Sequence, residues 1–180
     1  QSRDMVERLA NYLTDWRVLV NCAAIFEPDD VKGLEMDNFR RTLRVNAGSP
    51  ARMAQEFFAH ARAEGGRRVI QITDQKLANP NPDFFSYTMS KHALASTIPM
   101  LAMGAAGPLD RVYGLAPGAI LASHDQTAEE VEVSHRLNLL ERRTGVEEIA
   151  DACLWLAEGW LASGHPRFDA AHDRGHQQLA

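Results

Sequence analysis

The chain has 180 residues, 45% hydrophobic and 24% charged, with a formal net charge of −5. That composition suits one globular domain with a real core and excludes wholesale disorder. Its basic residues are scattered, which leaves no electrostatic footprint for nucleic acid, and no apolar run approaches the ~18 residues of a membrane span.

The opening "QSRDMVERLA" reads as a charged amphipathic helix over 3–14, with Met5, Leu9 and Leu13 on one face, rather than a signal peptide. Gln1 opens partway through that helix without an initiator Met, so a piece of a longer protein is expected. Residues 16–24 form a short buried strand around the continuous apolar run Val18, Leu19 and Val20. Helical periodicity then runs from 36 to 64, through Phe39, Leu43 and Ala47 to Met53, Phe57, Phe58 and Ala61. A second strand, 66–74, is entered through Gly65–Gly66. A helix over 86–104 turns Leu94, Ile98 and Leu101 inward. The third strand, 110–120, ends in Pro117–Gly118, and residues 126–142 read as a polar helix with Arg142–Arg143 favouring its carboxyl end. The last helix, 144–159, begins with a capping-box pattern of Thr144 and Glu147 and carries Trp155, with Trp160 at its end; both tryptophans read as core or subunit contacts.

Strands alternating with helices imply a parallel α/β sheet. Ligands collect beyond the carboxyl ends of such strands, where this chain places Asn21–Ala24, Thr73–Asp74 and Pro117–Gly118. Cys22 and Cys153 belong to no CxxC pair, so neither a disulfide framework nor a zinc site is expected, and a reduced, cytoplasmic setting is.

Tyr87 and Lys91 stand four residues apart at a helix start, so they share a face. A phenol has a pKa near ~10, and a neighbouring ammonium lowers it, which suits Tyr87 to acid/base work. A plain surface helix start carries the same spacing. Asp74 ends the preceding strand thirteen residues earlier, either as a turn residue or as a carboxyl that relays a proton to the phenol. Phe84 and Phe85, just before Tyr87, read as packing rather than pocket lining, and His124 and Asp125 as a polar loop rather than substrate contacts.

In order, "NCAA" at 21–24, Asn46 in "TLRVNAGSP", "VIQITD", "YTMSK" and "RVYGLAPGAI" resemble five elements of the short-chain dehydrogenases/reductases. The resemblance spans about residues 3–163. Where that family usually has serine, this chain has Asp74, like the pteridine and dihydromonapterin reductases. It implies a Rossmann-like doubly wound parallel sheet and reduction of a dihydropterin by NADPH, NADH being the alternative. It also implies catalytic roles for Tyr87, Lys91, Asp74 and Asn46, the last holding a water in a proton relay and Lys91 also binding the nicotinamide ribose. Asn21, Ala23, Ala24, Thr73, Pro117, Gly118 and Ile120 would border the cofactor, with no metal. Homo-oligomers, dimers or tetramers, would form through the helices of 36–64 and 86–104.

Two departures qualify the resemblance. The family's glycine-rich TGxxxGxG turn is missing, and only twenty residues precede Asn21, so the domain over 1–164 is expected to be amino-terminally truncated. Residues 165–180 lose the family's closing apolar strand; His172 and His176 there read as part of a solvated tail rather than metal ligands. A non-catalytic, oligomer-forming remnant and a reductase of 3-oxoacyl-type carbonyls are the alternative functions.

Overall fold

A computed structural model describes residues 2–122, 126–136, 138, 141–161 and 163–164. His124, Asp125 and the expected tail, with His172 and His176, lie outside the described residues. Among the described residues, no helix is long and apolar enough to cross a membrane.

Three parallel strands, β1 (Val18–Asn21), β2 (Arg68–Ile72) and β3 (Arg111–Leu115), lie side by side in that order. Val20 pairs with Ile70 and Ile70 with Tyr113. Beyond β3 a further parallel bridge joins Tyr113 to Gly164. Successive side chains alternate between the two faces. Leu19, Val69 and Val112 therefore meet Phe57, Phe58, Ile98 and Leu101 on one face. These come from α3 (Ser49–His60) and α4 (Phe85–Gly104). Ile70, Tyr113 and Leu115 meet Leu156 of α6 (Val146–Ala157) on the other. Helices on both faces of a parallel sheet make the fold doubly wound, as expected.

Several local expectations need correction. The expected helix over 36–64 is α2 (Met36–Leu43), a π-helical turn (Arg44–Gly48) and then α3. Pro50 explains the irregularity, because it has no N–H to offer the carbonyl of Asn46 four residues back. Helix α1 (Ser2–Tyr12) buries Val6 against the body, while Met5, Leu9 and Leu13 are exposed. The polar helix is α5 (Ala128–Arg136), ending six residues before Arg142. Arg142 pairs instead with Glu148 at 2.6 Å, in the first turn of α6. Thr144 forms no capping box: Gly145 is the N-cap, without a side-chain cap bond. Trp155 and Trp160 are exposed, so neither is core.

Candidate active site

The carboxyl end of β2 delivers two residues. Thr73 is tied to β3 through its N–H and hydroxyl, which both donate to the Leu115 carbonyl at 2.7 and 3.0 Å. Asp74 follows and uses its two carboxylate oxygens differently. One accepts the Lys76 N–H at 2.8 Å, capping a short 3₁₀ turn over Gln75–Leu77. The other accepts the Tyr87 hydroxyl at 2.6 Å. Asp74 is therefore both the turn residue and the phenol's partner.

Helix α4 brings Tyr87 and Lys91 to this strand end, both buried. Lys91 donates to the Ile72 carbonyl at 2.7 Å, and its Nζ sits 5.5 Å from the Tyr87 ring centroid. Burial holds the Lys91 ammonium below its ordinary value, partly offset by Asp74 and Cys22. Tyr87 moves the opposite way from the sequence expectation. Burial first, then the charge and hydrogen bond of Asp74, hold its phenol well above its ordinary range. The cause is geometric: the phenol hydrogen points at a carboxylate, while the ammonium is anchored to a strand carbonyl. A phenolate here would place two negative oxygens side by side.

Asn46, in the π-helical turn, engages both its N–H groups. Nδ2 donates to the Ile25 carbonyl and to Ser90 Oγ, each at 2.9 Å, and Oδ1 accepts the Ile25 N–H at 2.7 Å. Ser90 in turn donates to the Tyr87 carbonyl at 2.6 Å. The Asn46 side chain thus braces the loop after β1 against α4. Asn21 is turned inward too, donating to Gln71 at 3.0 Å and to the Pro50 carbonyl at 3.3 Å, while Ala23 and Ala24 lie exposed beyond it. Pro117 joins the site through its carbonyl, which accepts the Gln75 N–H at 3.0 Å. A cavity of ≈510 Å³ runs beside it, lined by Gln75, Pro117, Gly118, Ile120 and His135.

Three contributors were not singled out from sequence. Phe26 stacks on Phe84 at 4.0 Å and meets Tyr87 edge-on at 4.7 Å. Ser90 lies inside the "YTMSK" stretch, one residue before Lys91, which was its only signal. Asp29 bonds to Ser86 across 57 residues, with no local signal at all.

The family model described as enoyl-(acyl carrier protein) reductase matches residues 1–164. The 7alpha-hydroxysteroid dehydrogenase of Escherichia coli (strain K12) is 29% identical over 135 residues, covering 72% of this chain and 53% of that protein. The human dehydrogenase/reductase SDR family member 4 is 32% identical over 111 residues, covering 60% and 40%. The chain thus spans about half the length, or less, of these curated relatives. Among solved structures, FolM alternative dihydrofolate reductase 1 from Brucella suis, in complex with NADP, superposes with a TM-score of 0.84 at 30% identity, covering 92% of this chain and 66% of that one. A short-chain dehydrogenase/reductase from Serratia marcescens gives 0.81 at 25% identity, covering 94% and 71%. With the parallel sheet, the Tyr87–Lys91 helix and a family match over residues 1–164, the chain belongs to the short-chain dehydrogenase/reductase family.

Proposed function

We propose that this chain carries the proton-handling half of an NADPH-dependent reductase acting on a dihydropterin-type substrate. The observation that carries the reading is the 2.6 Å hydrogen bond from Tyr87 to Asp74, at the carboxyl end of a parallel strand beside buried Lys91. Likeness to a dihydrofolate reductase structure holding NADP supports it.

The residues present fit the nicotinamide end of such a cofactor. Lys91 has three N–H donors and one bond to Ile72, leaving donors for a ribose hydroxyl. Pro117, Gly118 and Ile120 border the cavity that Gln75, the residue after Asp74, also lines. When bound, the cofactor supplies a hydride to a ring carbon of the substrate's C=N bond. The chain supplies the matching proton to the nitrogen. The Tyr87 hydroxyl, held by Asp74 at 2.6 Å, is the group that gives it. The phenol proton goes to the substrate nitrogen, and a proton from solvent then restores the Tyr87/Asp74 pair. Asn46 engages both side-chain N–H groups within the protein, so it offers a relay water no side-chain donor.

The test is NADPH oxidation by the full-length protein with a dihydropterin. Tyr87→Phe should lower kcat by about 10²–10⁴-fold, the usual worth of a positioned proton donor. Asp74→Ser, tried with both a dihydropterin and a 3-oxoacyl thioester, separates the substrate classes. Unchanged turnover in Tyr87→Phe would sink the mechanism.

A further inference from the structure

Helix α4 lacks a cap of its own. Its N-cap residue is Phe84, which has no side-chain acceptor and sits in left-handed backbone, φ 54° and ψ 48°. The acceptor comes from the loop after β1. Both carboxylate oxygens of Asp29 accept the Ser86 N–H, at 3.1 and 3.2 Å, and one also accepts the Ser86 hydroxyl. The Asp29 carbonyl accepts the Phe84 N–H at 2.7 Å, and Asp30 forms an antiparallel bridge with Asp83. This loop is fastened at its other end as well, where Asn46 grips both backbone groups of Ile25. Between the two anchors lies Phe26, stacked on Phe84 and edge-on to Tyr87.

We propose that Asp29 is a positioning residue: its carboxylate, fixed to the first turn of α4, sets where the Tyr87 hydroxyl meets Asp74. The inference rests on the reading of Tyr87 as proton donor. Tyr87 directly follows Ser86, so the anchor and the reacting hydroxyl share one helical turn. A 2.6 Å O–H···O contact weakens steeply once the oxygens separate beyond about 3 Å, so a small roll of the helix suffices to break it. The carboxylate also faces the positive end of the α4 dipole, which favours its charge there.

In the full-length protein, Asp29→Ala should lower kcat about tenfold while the dihydropterin KM changes little, because the contact affects alignment rather than substrate binding. Asp29→Asn keeps one acceptor and should recover part of the loss. In a Tyr87→Phe background, Asp29→Ala should add nothing, since it acts through Tyr87. An equal loss in both backgrounds overturns the proposal, as does unchanged kcat in both Asp29→Ala and Ser86→Ala. A second readout does not need turnover: the Cζ resonance of Tyr87 in ¹³C-labelled protein, with Tyr113 as the unmoved reference. If Tyr87→Phe keeps full turnover, the donor reading fails and this resonance decides alone. It should shift in Asp29→Ala and Ser86→Ala, and an unmoved resonance overturns the proposal. Should Asp29→Ala not fold, Asp29→Asn carries both measurements, because Ser86→Ala keeps the Ser86 N–H bonded to Asp29.

Discussion

Replacing Asp74 by Asn should bring the Tyr87 phenol down toward its ordinary range. The change preserves shape: an Asn carbonyl still accepts the Lys76 N–H that caps the 3₁₀ turn. What disappears is a negative charge 2.6 Å from the phenol oxygen. A hydrogen bond to a charged group contributes about 1.5–3 kcal/mol. At 1.36 kcal/mol per pH unit, that alone is about one to two units. The repulsion between carboxylate and phenolate, at an effective dielectric of ~20, sets an upper bound of about 6 kcal/mol, or roughly four units. Burial persists in the variant, so Tyr87 should still titrate above about 10.

The measurement is an alkaline titration followed by the ¹³Cζ resonances of the three tyrosines. Tyr12, 85% exposed, serves as the internal reference for a solvent-facing side chain. The linkage has a definite sign. Because the folded state holds the Tyr87 proton more tightly, its contribution to stability is complete below about pH 10. It is lost progressively as pH rises toward the folded value. Asp74→Asn should narrow that window, so the variant loses less stability in total between about pH 10 and strong alkali. A Tyr87 phenol that titrates at the same pH in both proteins, or higher in the variant, refutes the electrostatic account.

Two predictions concern the frame that holds the site. Arg67 and Asp110 form a bidentate pair at 2.6 and 3.1 Å behind β2 and β3, with further bonds to the Phe58 and Ala61 carbonyls. Asp110→Ala should cost about 3 kcal/mol in urea unfolding, since it strands a largely buried guanidinium. Burial raises the Asp110 carboxyl, but bonds from Arg67 and from the Gly107 and Arg67 amides outweigh it, leaving it below its ordinary value. Its stabilisation is thus present above about pH 4 and lost as pH falls through the folded value; the Ala variant should lack this acid-limb loss. Gly66 has φ +81°, and a Cβ there would stand 2.3 Å from the Leu109 carbonyl oxygen. Gly66→Ala should therefore destabilise by more than about 1 kcal/mol, read as a lowered urea midpoint, and an unchanged midpoint would count against the backbone there.

What the sequence disclosed about this site follows the range of the interactions. The Tyr87–Lys91 pair is legible because helical geometry alone puts residues four apart on one face. Its electrostatic consequence is not, because spacing fixes Cβ atoms and not the ends of long side chains. Lys91 reaches the Ile72 carbonyl, and the phenol finds Asp74 instead. The strands were legible from apolar runs, and Val69 and Ile70 do divide between the two cores. Periodicity over 36–64 is blind to a π-helical turn, although Pro50 was the visible cue. Met5 and Leu9 do share one face of α1, with Leu13 just past its end, but the face that packs against the body is the one carrying Val6. Thr144 lost its capping role because α6 starts at Val146, which puts Gly145 in the N-cap position.

Asp29 marks the limit of local reasoning most sharply. Ordinary N-caps are recognisable because the acceptor adjoins the helix in sequence, and Asp83, next to Phe84, is the residue that rule selects. The structure passes over it and draws the acceptor from the loop after β1. Both that loop and α4 begin at carboxyl ends of neighbouring parallel strands, which the β1–β2 register sets side by side. A long-range cap couples the loop after one strand to the helix after the next, whereas a local cap would only have started the helix. Loss of the Asp29 contact should therefore disturb Phe26 and Tyr87 together. Asp83→Ala, which removes only the sequence-adjacent acid, should leave both in place.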